Sequence, residues 1–166
     1  MKPPRTGWAW ALATFFGMGF LRPGPGTWGS AAGLVLWLAA AHWLHPSPAH
    51  LAAGTAVAAL VAVLVGIPAS TFVAREAATE DPGFVVLDEV AGQWIALIAA
   101  TSARPWEWLA AFLLFRVFDI LKPSPARQFD RMEGGFGIMM DDVAAGGYAL
   151  AVLWLAIHFG SGGWRL

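Results

Sequence analysis

Residues 23–74 contain no Asp, Glu, Lys or Arg. A helix that crosses a bilayer needs about 20 mostly apolar residues, so this uncharged stretch is long enough for two such helices. The whole chain is 58% hydrophobic and 13% charged, whereas a soluble domain carries roughly a quarter charged residues. We therefore expect residues 1–166 to form a single all-α domain, a compact polytopic bundle of membrane helices.

The hydropathy pattern predicts about four to five membrane helices. The candidate segments are 28–44, 51–74, 84–103, 105–121 and 143–159. The third segment can be a membrane helix only if its first turns include the acidic residues Asp88 and Glu89. Residues 8–21 are too short to span and are interrupted by Gly17 and Gly19, which predicts a short interfacial helix. Gly134, Gly135 and Gly137 predict a pliable loop before the last helix.

The distribution of basic residues predicts an orientation. With the N-terminus inside, eight basic residues lie at the inner side and two lie outside, as the positive-inside rule favours. The inner residues are Lys2, Arg5, Arg22, Arg75, Arg116, Lys122, Arg127 and Arg131, and the outer ones are Arg104 and Arg165. The N-terminus slightly resembles a signal peptide, but no convincing cleavage site follows it. This topology gathers three polar segments, 22–30, 75–89 and 116–142, on the inner face.

Composition excludes several kinds of site. The chain has no Cys, so disulfides, thiolate zinc sites and cysteine nucleophiles are ruled out. Its net charge is −1 and it lacks a long basic run, so no nucleic-acid partner is expected. The four histidines, at positions 42, 45, 50 and 158, are scattered on the predicted outer side. We interpret them as interfacial polar residues, which disfavours a phosphohistidine mechanism.

Nine of the 21 charged residues fall within residues 116–142. Charge is costly in lipid, and an apolar protein that gathers acids and bases in one place is usually using them. Carboxylates can hold a divalent cation, and Arg and Lys can hold phosphate. The pattern therefore favours metal-assisted phosphoryl chemistry at a membrane surface.

Two acidic pairs precede apolar segments. Asp88 and Glu89 are adjacent at the predicted start of a helix, where the helix dipole favours carboxylates. Asp141 and Asp142 are predicted at the start of the last helix. Side chains one residue apart point about a hundred degrees from each other, so one of this pair is expected to bind metal while the other orients a base or a water. The alternative for both pairs is helix capping at the water boundary.

Basic and hydroxyl residues accompany the acids. Arg116, Asp119 and Lys122 are spaced three apart and can share one helical face, either as site residues or as a structural ladder of ion pairs. Residues 22–30 offer hydroxyls at Thr27 and Ser30 near a helix start, which suits phosphate or, alternatively, a capped tight turn. Residues 75–81 are predicted to form a solvated inner loop.

Four motifs together resemble the phosphatidylglycerophosphatase A family. They are PGPGTWGS (23–30), LDEVAGQW (87–94), FRVFDILKPSPARQFDR (115–131) and GGFGIMMDDVAAG (134–146). Family members are magnesium-dependent enzymes of the bacterial inner membrane that convert phosphatidylglycerophosphate to phosphatidylglycerol. The resemblance implies that the site candidates are Thr27, Asp88, Glu89, Asp119, Lys122, Asp130, Asp141 and Asp142.

The residues and the resemblance together give one set of expected roles. Expected catalytic residues are Asp88, Glu89, Asp141 and Asp142; expected phosphate ligands are Thr27, Ser30, Arg116, Lys122, Arg127 and Arg131; and expected Mg²⁺ ligands are Glu89, Asp119, Asp130, Asp141 and Asp142. The lipid phosphatidylglycerophosphate is the expected substrate, the active site is expected on the cytoplasmic face, and the oligomeric state is left open. Direct attack by water is favoured over an aspartyl-phosphate intermediate, because the acids outnumber what a single nucleophile requires.

The alternative function is a non-catalytic small membrane transporter or assembly protein with a polar cytoplasmic face. A transporter commonly places charges near the bilayer midplane, on broken helices of two repeated halves. The acids here lie at predicted inner helix ends, and the sequence shows no internal repeat. The enzyme hypothesis is therefore preferred.

Overall fold

The computed structural model describes residues 6–101 and 104–160. Within these ranges all regular structure is helical, which confirms the predicted all-α class. The helices are α1 (Gly7–Ala13), a 3₁₀ turn (Met18–Phe20), α2 (Pro25–Leu44), α3 (Pro48–Ala77), α4 (Leu87–Leu97), α5 (Pro105–Leu121), α6 (Ala126–Phe129) and α7 (Gly134–Gly160). Lys2, Arg5 and Arg165, used in the orientation argument, lie outside the described residues.

Two helices of the described chain, α3 and α7, are long and apolar enough to cross a membrane. The predicted number of four to five membrane helices is therefore not established by length and composition. The predicted segment 84–103 is wrong in its extent, because α4 has only 11 residues. At about 1.5 Å per residue it is roughly half as long as the hydrocarbon is thick.

Helix α4 is apolar because other helices surround it. It packs against α2, α3, α5 and α7, and eight of its 11 residues are buried. The residue before α4 is held by the end of α1, since the backbone N–H of Val86 donates to the carbonyl of Ala13 over 2.8 Å. Hydropathy alone does not distinguish such a central helix from one that faces lipid, which is why the sequence predicted a span here.

The N-terminal segment is interrupted where the glycines predicted. Helix α1 ends at Ala13, and Gly17 adopts a positive φ of 94° before the 3₁₀ turn. Ala9 and Ala13 are fully buried. The carboxylate of Glu76 accepts hydrogen bonds from the Thr6 N–H and the Trp10 indole, so α1 is tied to the end of α3.

The glycines at 134, 135 and 137 do not form a loop, and that prediction is wrong. They make the first turn of α7, which begins nine residues earlier than expected. A Cβ at Gly135 would overlap the carbonyl oxygen of Ile67 in α3. The Gly135 N–H donates to Thr71 Oγ1 over 3.1 Å. Gly135 therefore allows close packing of α7 on α3 rather than flexibility.

The helix directions bring the polar segments to one end of the bundle. Helices α3 and α5 finish at this end, while α2, α4 and α7 begin there. The acids at the start of α4 and the charged residues around 116–142 consequently face one another. This end holds the candidate active site.

Candidate active site

A polar cavity of about 230 Å³ lies between the start of α4, the end of α5 and the first turns of α7. Its charged lining residues are Glu80, Asp81, Asp88, Glu89, Asp119, Lys122, Asp130, Arg131, Glu133, Asp141 and Asp142. All six of the predicted acidic site residues are thus brought together, although they come from three separate parts of the sequence.

Three carboxylates converge in this cavity. Asp88, Glu89 and Asp142 each offer one oxygen, and these oxygens lie within 4.8 Å of one another. Among the described residues, Asp88 Oδ1 and Glu89 Oε2 are buried without a hydrogen-bond partner. Burying unpaired carboxylates is costly unless a positive charge compensates them. A set of oxygen ligands with unused acceptors fits a hard divalent cation such as Mg²⁺.

Asp88 and Glu89 occupy the first turn of α4, as the sequence predicted. Asp141 and Asp142 do not lie at a helix start, because α7 begins at Gly134 and the pair falls in its third turn. The capping alternative is therefore wrong for this pair. Inside the helix their side chains diverge, with Asp142 joining Asp88 and Glu89 and Asp141 facing Lys122.

Lys122 forms the second charged group of the cavity. It ends α5 with a left-handed φ of 43°, and its Nζ pairs with Asp130 and, over 2.7 Å, with Asp141. Asp141 Oδ1 also accepts the backbone N–H of Asp142. Partial burial lowers the pKa of Lys122, but the hydrogen bonds to Asp130 and Asp141 outweigh it and raise the pKa above its ordinary 10.5. Lys122 therefore stays positively charged.

Arg116 and Asp119 form an ion pair of 2.6 Å on α5. The Arg116 guanidinium also donates to Ser30 Oγ at 3.4 Å, and Ser30 donates to the carbonyl of Gly26 over 2.9 Å. A Cβ at Gly26 would overlap Glu89 Oε1 and would lie 3.2 Å from Arg116 Nη1. The first turn of α2 therefore approaches the carboxylates through its backbone.

The predicted phosphate ligands are not all brought to the cavity. Thr27 and Arg127 are exposed and do not line it. Ser30 is completely buried and bonded to Gly26 and Arg116. Lys122 and Arg131 do line the cavity. Sequence spacing could not separate these cases, because each depends on where α2 and α6 pack.

The cavity also contains residues that the sequence motifs did not indicate. Glu80 and Asp81 line it, whereas the sequence predicts a solvated loop over residues 75–81. Their closeness in sequence to Asp88 and Glu89 was the one indication that they could belong to the site. Glu133 also lines it without having been predicted. Gly26 contacts Glu89, and only the fold could reveal that contact.

The model of a known family, described as "Phosphatidylglycerophosphatase A", matches residues 11–157. The chain belongs to the phosphatidylglycerophosphatase A family. This confirms the resemblance carried by the four motifs. The matched range includes every acid of the polar cavity.

Two similar curated proteins carry the name of this family, and a third carries a different phosphatase name. A phosphatidylglycerophosphatase A from Haemophilus influenzae is 42% identical over 86% of this chain and 84% of its own length. One from Escherichia coli is 35% identical over 89% of this chain and 82% of its own length. A Bacteroides thetaiotaomicron protein named "Putative phosphatidylinositol-3-phosphatase" is 40% identical over 87% of this chain and 91% of its own length.

Membership in this family shows that the chain is an enzyme, a phosphatase. The prediction of an enzyme is therefore confirmed, and the transporter or assembly alternative is set aside. No solved structure matches the chain.

Proposed function

We propose that this protein hydrolyses the terminal phosphate monoester of phosphatidylglycerophosphate to give phosphatidylglycerol, using Mg²⁺. The observation that carries the proposal is the convergence of Asp88, Glu89 and Asp142 beside a cationic Lys122 in one cavity. Two relatives named phosphatidylglycerophosphatase A support the choice of substrate.

The metal is assigned to the three converging carboxylates, Asp88, Glu89 and Asp142. Their oxygen-only chemistry suits Mg²⁺, and a bound cation would compensate the buried charge. The chemistry that Mg²⁺ supplies at such a site is neutralisation of phosphate oxygens and activation of water. Asp119 and Asp130, which were also expected to bind metal, are paired with Arg116 and Lys122 instead. We assign them the role of holding those bases.

The remaining residues bind the phosphate and accept the proton of the attacking water. Lys122 and Arg131 line the cavity and are placed to attract the phosphate oxygens of the substrate. Asp141 lies next to Asp142 and is held by Lys122 and a backbone N–H. We assign Asp141 the role of orienting the attacking water and accepting its proton. Attack at phosphorus then breaks the bond to the glycerol oxygen, which takes up a proton and leaves as the hydroxyl of phosphatidylglycerol, and inorganic phosphate is released.

The aspartyl-phosphate route makes a different stereochemical prediction. A single in-line attack by water inverts the configuration at phosphorus, whereas two successive displacements retain it. Hydrolysis of a chiral, isotopically labelled thiophosphate analogue of the substrate in isotopically labelled water should therefore proceed with inversion. Retention of configuration would assign the attack to a carboxylate of the protein.

We further propose that the protein spans the bacterial inner membrane several times, with the cavity at the cytoplasmic face. Helices α3 and α7 are long and apolar enough to cross. Both meet the cavity end of the bundle, because α3 finishes there and α7 begins there. A lipid head group at the membrane surface would then lie beside the acids.

A phosphatidylinositol 3-phosphate substrate is the second candidate, because the Bacteroides relative carries that activity in its name. Both lipids present a phosphate monoester, so the carboxylates alone do not choose between them. The decisive experiment measures phosphate release from each lipid by the purified protein, with Mg²⁺ and with a chelator. We expect Mg²⁺-dependent release from phosphatidylglycerophosphate. A clear preference for the inositol lipid would reassign the substrate, and equal release with the chelator would reject the metal.

A further inference from the structure

Gln93 is a buried polar side chain that the mechanism above does not use. It is 0% exposed. Neither its Nε2 nor its Oε1 has a hydrogen-bond partner within the part of the chain that the structure describes. An unsatisfied buried amide is costly, and an apolar residue of similar shape is usually tolerated as well or better. Its presence on the helix that carries Asp88 and Glu89 therefore indicates a role.

The position of Gln93 on α4 places it close to Glu89, one of the three converging carboxylates. It lies one helical turn after Glu89 and one turn before Leu97, on the same face of α4. Leu97 shares a core cluster with Leu34 of α2 and Phe115 of α5. Side chains on a helix incline toward its N-terminus, which carries the amide of Gln93 toward Glu89.

Glu89 has a matching unused acceptor. Its Oε2 is buried without a hydrogen-bond partner among the described residues, while its Oε1 lies against the backbone of Gly26. An amide N–H is a donor, and a carboxylate oxygen accepts. Residues four apart on a helix are within reach of each other. A glutamine amide at this spacing can therefore hydrogen-bond to the carboxylate.

We propose that Gln93 is a positioning residue whose amide donates to Glu89, holding that carboxylate in the orientation in which Glu89, Asp88 and Asp142 bind the cation. The proposal rests on the metal-binding role proposed above for Glu89. Residues that orient metal ligands typically change metal affinity or activity by about 10–100-fold when they are removed. A neutral amide suits this position, because it orients the carboxylate without competing for it as a cation would.

The test compares Gln93→Met with the unmodified protein. Met keeps the length of the side chain and removes both hydrogen-bonding groups. The metal is titrated into purified, substrate-free protein: Mg²⁺ is followed by the rise in melting temperature, since a ligand of the folded state stabilises it, and Mn²⁺ by its electron paramagnetic resonance signal. Thr55→Val is the matched control, because Thr55 is a buried hydroxyl bonded to Trp37 at a distance from the cavity.

We expect Gln93→Met to melt no lower than the unmodified protein without metal, while its metal affinity falls roughly tenfold or more. The concentration of Mg²⁺ that half-activates phosphate release should rise by a similar factor. Thr55→Val should change the melting temperature without changing metal affinity. Unchanged metal affinity in Gln93→Met overturns the proposal, and this holds even where the lipid substrate has been assigned wrongly, because the titration contains no lipid.

Gln93→Glu distinguishes donation from direct metal binding. It keeps the shape of the side chain but replaces the donor with a fourth carboxylate. If Gln93 positions Glu89 by donating to it, this variant binds Mn²⁺ more weakly, because a carboxylate at position 93 cannot donate and displaces Glu89 from the orientation that binds the cation. Tighter binding of Mn²⁺ would show that position 93 is itself a ligand and would overturn the positioning role.

Discussion

At the residue scale, a substitution of Asp142 can distinguish a role in metal binding from a role in folding. Asp142→Asn removes one of three converging charges and keeps the shape of the side chain. Because like charges repel when no cation is present, we expect the metal-free variant to melt at or above the temperature of the unmodified protein. Its turnover should fall by at least about a hundredfold, since a catalytic cation contributes several kcal/mol. Melting curves and rates with and without Mg²⁺ check both expectations, and a variant with near-normal turnover would contradict the assignment.

Lys122 tests the phosphate-binding assignment at the same scale. Lys122→Met should lower kcat/KM by roughly tenfold to hundredfold, the usual effect of losing a hydrogen bond to a charged group. The Mg²⁺ half-activation concentration should change little, because the ion-pair partners of Lys122, Asp130 and Asp141, lie outside the three-carboxylate set. Arg127→Met is the matched control: Arg127 is exposed and away from the cavity. An equal loss in both variants would indicate a general charge effect.

At the element scale, the first turn of α2 limits where Glu89 can lie. A Cβ at Gly26 would overlap the end of the Glu89 side chain, which can move without disturbing the backbone. Gly26→Ala should therefore fold normally but require more Mg²⁺ for half-activation. Gly54→Ala is the control, since nothing lies within 4 Å of its Cβ position; it should retain normal activity and gain up to about 1 kcal/mol of stability from helix propensity. Normal metal dependence in Gly26→Ala would show that the contact is unimportant.

The packing of α7 on α3 gives a stability prediction. A Cβ at Gly135 would overlap the Ile67 carbonyl and lie 2.7 Å from the Thr71 backbone nitrogen. Backbone atoms cannot move away cheaply, so Gly135→Ala should lose about 1–3 kcal/mol, as overpacked sites do. Gly147→Ala in the same helix meets nothing within 4 Å and should be neutral or stabilising. Thermal unfolding in detergent compares the two, and equal melting temperatures would contradict the close packing.

At the scale of the whole molecule, the proposed topology can be mapped directly, because the chain has no Cys. Gln128 is exposed at the cavity end, and Ala49 is exposed in the first turn of α3 at the opposite end. A membrane-impermeant thiol reagent applied from the periplasm should label Ala49→Cys and leave Gln128→Cys unlabelled. Labelling of Gln128→Cys under these conditions would place the cavity on the wrong side.

The sequence by itself determined the helical class, the enzyme family and the acidic composition of the site. These follow from local information. Long uncharged runs exclude most other folds. Linked motifs such as LDEVAGQW and GIMMDD identify the family without any knowledge of the distances between residues in the structure. The start of α4 at its acidic pair was also predictable, because carboxylates stabilise the first turn of a helix.

Only the tertiary structure decided which charges meet. Asp142 joins Asp88 and Glu89, whereas Asp141 turns to Lys122, and this division depends on how α7 packs against α4 and α5. The tertiary structure also decided that the glycines before Asp141 are helical and that α4 is a short central helix. The physical reason is the same in each case. A glycine permits both flexibility and close approach, an apolar segment suits both lipid and protein neighbours, and only the neighbours that long-range packing supplies decide between them.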